Sequence, residues 1–172
     1  MTEQLPYEVV RAFPRFDVRR YPDSVLVQVR VATDGARAVS LGARTLLRYL
    51  DGHNQAGTLF AGPTAALRQE PAGEHEHVVS LVLPAGTDPA TVPEPRDDSV
   101  SIRAVPAHEA AVLRFAGGWT GRRLVERGHE LLDQVSAVRL EPAGAVYFIR
   151  LEPTWKPGFL GRNEALVRVT SA

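Results

Sequence analysis

The feature that most constrains this chain is an internal repeat. Val18-Arg19-x-Tyr21-Pro22 and Ile102-Arg103-x-Val105-Pro106 share one pattern at an offset of 84 residues, the interval from Val18 to Ile102. Around the two copies the hydrophobic periods fall in the same order. After a turn at Tyr21-Pro22-Asp23, Val25, Val27, Val29 and Val31 alternate with Gln28 and Arg30, the period of a half-buried strand. Over residues 37–50 the period changes, and Val39, Ala43, Leu46, Leu47 and Leu50 follow the spacing of an amphipathic helix. Asp51-Gly52-His53-Asn54 supplies the residues that end a helix, and a strand pair is expected over 59–67 and 77–83.

The second half predicts strands over 100–105, 110–115, 145–151 and 164–170, with a helix over 121–135. That helix carries a stripe of Leu124, Val125, Gly128, Leu131, Leu132 and Val135, and Thr120 stands where a cap belongs. Residues 84–98, with prolines at 84, 89, 93 and 95, read as the connector between pseudo-repeat halves of about 1–95 and 98–172. A duplicated strand-helix-strand-strand unit cannot bury both a sheet face and a helix stripe alone. The expectation is an α+β fold: a curved, largely antiparallel sheet or distorted barrel flanked by two helices, with a binding groove beside a helix.

Composition narrows the function. A chain of 172 residues that is 44% hydrophobic is long enough for one substantial core and short for two, so a single domain is expected. Lysine plus arginine and aspartate plus glutamate balance at 20 each, which leaves no whole-molecule field to attract nucleic acid or an anionic membrane. Cysteine is absent, so thiolate metal sites, cysteine nucleophiles and haem-thiolate ligation are excluded. No leader pattern or membrane-length apolar run is read in the sequence, and the default location is the cytoplasm.

Several segments together resemble the SOUL haem-binding family: Tyr7-Glu8-Val9-Val10, Val18-Arg19-Arg20-Tyr21, residues 48–54 (RYLDGHN), residues 79–84 (VSLVLP), Phe115-Ala116-Gly117-Gly118 and residues 152–164 (EPTWKPGFLGRNE). The last is the most specific. The resemblance implies non-covalent haem or tetrapyrrole binding, without catalysis, in a groove between the first helix and the loop before the last strand. Carried onto this sequence, that groove is formed by Ala43, Leu47 and Arg48 with Trp155, Lys156, Phe159 and Leu160. A porphyrin has two broad apolar faces and two carboxylates on one edge. Leu47 and Phe159 suit the faces, and Arg48 and Lys156 suit the edge.

The sequence departs from the family at three places. Ala43 and Leu47 stand where relatives often carry methionine. Arg20 stands where some place a histidine proposed to bind iron, and a permanently protonated guanidinium cannot ligate. Gly57 to Ala66 replaces a Met-Thr-x-Pro-Val pattern.

Among the histidines, His53 is nearest the expected groove and is the first candidate iron ligand; its ordinary reading is a cation at a helix C-terminus. His75-x-His77 has metal-compatible spacing, but its ordinary reading is a solvated hairpin. His108 and His129 complete no catalytic constellation. Trp155 either stacks on a ligand or covers the core, Arg162-Asn163-Glu164 reads as a structural latch, and residues 117–121 lack the lysine of a phosphate loop. Two alternatives stand beside haem binding. One is an effector-binding or hydrolytic domain of the gyrase-inhibitor-like type, with Glu152 or Tyr147 as its chemistry. The other is a protein-interaction module using the arginine-rich face of the first helix, Arg37 and Arg44 included.

Overall fold

The computed structural model describes residues 5–60, 66–151 and 161–170. Its strands are β1 (Glu8–Ala12), β2 (Asp17–Tyr21), β3 (Ser24–Ala32), β4 (Leu67–Gly73), β5 (Glu76–Val82), β6 (Val100–Val105), β7 (His108–Ala116), the two-residue β8 (Glu141–Pro142), β9 (Tyr147–Arg150) and β10 (Arg162–Thr170). The helices α1 (Gly35–Leu50) and α2 (Gly121–Ala137) follow β3 and β7. One curled antiparallel sheet runs in the order β1-β2-β7-β10-β9-β4-β5-β3-β6, with β8 beside β10.

The duplication is visible as an exchange. β2 turns through Pro22-Asp23 into β3 yet pairs with β7, while β6 turns through Pro106-Ala107 into β7 yet pairs with β3. Where the two corners meet, the Ala107 N–H donates to the Asp23 carboxylate at 2.7 Å, between positions that are themselves 84 residues apart. The halves join again in the middle, where Arg68 of β4 faces Ile149 of β9.

Each helix starts as its sequence dictates. The Asp34 side chain accepts from the Arg37 N–H at 3.1 Å, and the Thr120 hydroxyl accepts from the Arg123 N–H at 3.3 Å, which satisfies donors with no partner inside the helix. α1 stops at Gly52, whose φ of +96° favours glycine, with the His53 N–H donating to Arg48 O at 3.0 Å and the Gly52 N–H to Tyr49 O at 3.2 Å. Gly42 and Gly128 each stand eight residues after their caps, where the helices come closest to the sheet. A Cβ on Gly42 would lie 2.6 Å from Val79 Cβ, and one on Gly128 would lie 3.4 Å from the Phe148 ring.

The main core lies between helices and sheet, where Val25, Val27 and Val29 of β3, Leu81 of β5, Leu113 of β7 and Val167 of β10 meet Val39, Leu46, Leu131 and Val135. Alternate residues turn to the helix-free face, the inside of the curl. There Tyr21, Ala110, Val112, Tyr147 and Leu166 form a second apolar cluster, with Arg19 and Glu164 paired at 2.8 Å beside it and both essentially inaccessible.

One expectation is corrected. The strand read over 59–67 is β4, Leu67–Gly73; Leu59 is 72% exposed and makes only an isolated bridge to Asp51. Arg68 and Gln69 are buried in β4, so a segment that reads as polar is a central strand. β1 and the strand character of the first repeat pattern, β2, are additions to the sequence reading.

The glycine contacts lead to a paired outcome. Gly42→Ala gains about 1 kcal/mol of helix propensity but forces an overpacked contact on Val79 that costs about 1–3 kcal/mol, so a net loss of stability is expected. Gly121→Ala, which meets nothing within 4 Å, is neutral or stabilising. Denaturant midpoints of the two variants measure the difference.

Candidate functional site

A groove of about 530 Å³ runs along α2 and reaches the first turn of α1 on the helix-bearing face. Leu124, Val125, Gly128 and Leu132 of α2 form one wall, and Phe148 and Val146 lie beneath them. Gln69 of β4 and His77 of β5 close the end near Gly35, while His129 stands on the α2 side. The volume falls within the usual range for small-molecule sites, and so does the mixture of apolar wall with a few polar groups.

Local structure explains the opening. Val39 and Val125 each stand five residues after their helix caps, yet Val39 is fully buried and Val125 is 58% exposed. The α2 stripe read from the sequence therefore exceeds what its sheet covers, and Val125 faces the groove instead of the core. Gly128 lets the Phe148 ring pass under the helix, and Trp119 meets that ring edge-on at 6.3 Å. The absent Cβ of Gly35 does the same for Gln69 and His77, since a methyl there would sit 3.1 Å from Gln69 Nε2.

The polar end is unusual. Gln69 Nε2 lies 3.4 Å from Nδ1 of His77, but Gln69 Oε1 is buried with no hydrogen-bond partner among the described residues. A buried acceptor left alone costs about 1–3 kcal/mol, so a ligand or water that donates to it would be bound favourably. Burial lowers the His77 pKa from its ordinary value, opposed by the nearby Asp34 carboxylate. Its neutral imidazole has a nitrogen able to accept or to ligate.

Of the positions expected to form the groove, those on α1 are described and those of the segment before β10 are not. Ala43 is buried in the main core, Leu47 is half-buried and Arg48 is exposed on α1; Trp155, Lys156, Phe159 and Leu160 lie outside the described residues. His53 stands at the end of α1, its backbone in the helix stop. His75 sits at φ +59° in the exposed β4–β5 turn and His77 in the strand beyond it. No cluster of three potential metal ligands occurs among the described residues. Arg20 is exposed and held by Glu109 at 2.8 Å and Glu8 at 3.3 Å. The latch reading of Arg162-Asn163-Glu164 fits the contacts: Asn163 Nδ2 donates to Gly117 O at 3.1 Å, and Glu164 holds Arg19. Tyr147 is buried on the helix-free face, away from the groove, and Glu152 lies outside the described residues. Gln69 and Phe148 are groove residues that periodicity did not single out, while Val125 was read in the α2 stripe but faces the groove. The one legible trace was an α2 stripe wider than a core needs.

The SOUL heme-binding protein family model matches residues 2–168, nearly the whole chain. The chain belongs to the SOUL family. No curated protein is significantly similar to it in sequence. Among solved structures, the SOUL-family chain resembles the C-terminal domain of EcmrR at 12% identity and TM-score 0.65, covering 96% of this chain and 99% of that one. It also resembles a hydrolase from Listeria innocua at 11% identity and TM-score 0.61, covering 89% and 91%. At these identities the likeness is one of fold. No helix among the described residues is long and apolar enough to cross a membrane.

Burial lowers the pKa of His108 as well as that of His77. The unfolded chain therefore binds more protons than the folded one just below the ordinary histidine value of 6.5. Their contribution to stability is fully present above that value and is lost as the pH falls through the depressed folded-state values. Denaturant midpoints are expected to fall between pH 7.5 and about pH 5, less steeply when both histidines are replaced by glutamine.

Proposed function

We propose that this SOUL-family protein binds haem or a similar flat tetrapyrrole non-covalently, as a carrier, buffer or sensor. The observation that carries the reading, beside family membership, is the apolar groove along α2. Leu124, Val125, Leu132, Val146 and Phe148 offer surface to a planar ring, and His77 and His129 stand at its margin. The fit is with the faces of the ring: no lysine or arginine is among the described lining residues. Arg48 on α1 and Lys156 of the segment before β10 are the cations we assign to the propionates, with Leu47, Trp155, Phe159 and Leu160 extending the apolar surface on that side and Ala43 packing in the core. A sheltered charge-assisted contact to a carboxylate is worth about 1.5–3 kcal/mol, so apolar contact must supply most of the affinity.

A second reading is a small-molecule effector domain in the same groove, or a hydrolase as in the Listeria relative by fold. The orphaned acceptor Gln69 Oε1 favours its binding half, because it calls for a ligand with an N–H or O–H donor.

Hemin titration followed by absorbance tests the tetrapyrrole reading. Saturation near one equivalent is expected, weakened about tenfold or more, the equivalent of about 1.4 kcal/mol, by Leu132→Glu and by Leu47→Glu, with Lys156→Glu weaker than the parent. Absence of a saturable spectral change, or variants that bind as the parent does, would move the assignment to the effector reading.

A further inference from the structure

The helix-free face carries a second opening, unrelated in its chemistry to the groove. A cleft of about 420 Å³ is lined by Arg30, Arg68, Arg103 and Arg168, with Glu70 as the only lining carboxylate among the described residues and Tyr147 at its side. Glu70 is shared: one oxygen accepts from Arg68 Nη2 and the other from Arg103 Nη1 at 3.0 Å. Arg30 is held by Glu76 at 2.9 Å. Arg168 has no carboxylate partner among the described residues. Among the described residues four guanidinium groups thus meet two carboxylates, an excess of two positive charges in one recess.

Two further observations point to a missing anion. Arg68 is buried to 6% exposure, and its Nε–H has no acceptor among the described residues. Its guanidinium lies 3.9 Å over the Tyr147 ring. Burial raises the Tyr147 pKa, while the positive charges of Arg68 and Arg168 both oppose that rise, so the two cations converge on this phenol from different strands. Like charges drawn together beside a buried, unsatisfied donor are stabilised by an oxoanion, for which the planar guanidinium fork is suited.

We propose that this cleft binds a small dianionic oxoanion, a phosphate ester or a dicarboxylate, independently of the tetrapyrrole groove on the opposite face. Its charge matches the local excess, and Arg168 and Arg103 are its principal ligands, with the Arg68 Nε–H as the buried donor.

The test is calorimetric titration of the full chain with inorganic phosphate and, separately, with succinate, at constant ionic strength. Saturable binding of at least one, with a dissociation constant of about 1 mM or below, is expected, and which of them binds more tightly identifies the source. Arg168→Gln should weaken it about tenfold, and Arg168→Lys, which keeps the charge but loses the fork, by less. The Arg168 side chain holds no carboxylate or hydrogen-bond partner among the described residues, so these variants should melt as the parent does. Arg37→Gln on α1 and Leu132→Glu in the groove should leave binding unchanged. The proposal is overturned if neither anion binds saturably, if Arg168→Gln binds as the parent does, or if Arg37→Gln weakens binding equally.

Discussion

Everything else in this fold depends on the exchange of β2 and β6 between the two repeats. Each strand is joined to its own half by a two-residue corner but pairs with a long strand of the other half, β2 with β7 and β6 with β3. Neither repeat can complete its sheet alone, and the corners are pinned to one another by the Asp23 carboxylate. The exchange also carries Arg19 of β2 to Glu164 of β10 inside the curl, with Tyr21 OH at 3.3 Å and the Tyr7 ring 4.1 Å below the guanidinium. Removing one member of a buried pair of this kind costs about 3–5 kcal/mol, because the other is left charged and dry.

A sheet built in this way has two faces with opposite character. The helices cover one face, and because α1 and α2 sit over different halves, the central strands β4 and β9 are left to floor an apolar groove. The curl closes the other face so far that residues from β2, β3, β4, β5, β7, β9 and β10 line a cavity of about 30 Å³, room for about one water molecule. Beyond this closed part, Arg68 and Tyr147 pass into the arginine-lined cleft. Gln69 and Arg68 are neighbours in β4, and the alternation of the strand sends one to each site. Two kinds of chemistry lie on the two faces of one sheet and share only Pro71 and Ala145 among their described lining residues.

The helices and the repeat were legible in the sequence because a single buried face imposes a single period. Thr120, Gly52 and the Leu124, Gly128, Leu131 and Val135 part of the α2 stripe were read in their observed roles. β2 and β4 were harder because the curled sheet buries both of its faces. In β3, Val25, Leu26 and Val27 are all buried. In β2 and β4, Arg19, Arg68 and Gln69 occupy buried positions through pairing, and in a one-dimensional pattern they look like solvent-facing residues. The groove along α2 was not legible: resemblance pointed to a groove between α1 and the loop before the last strand, and Gln69 and Phe148 come together through the pairing of β4 with β9, a contact between positions 79 residues apart, from Gln69 to Phe148. No local pattern encodes that contact.

The central claim is that the two faces of one sheet serve two separate ligands, and backbone amide spectra of the isotopically labelled protein test it most directly. Gallium protoporphyrin, a diamagnetic stand-in for haem, is predicted to shift amides along α2, around Gln69 and His77 and at Phe148, while phosphate or succinate shifts those around Arg103, Ala143, Gly144 and Arg168. Each set should respond in the presence of the other ligand as it does alone. Shifts from the porphyrin concentrated around Arg103 and Arg168, or displacement of one ligand by the other, would contradict the account.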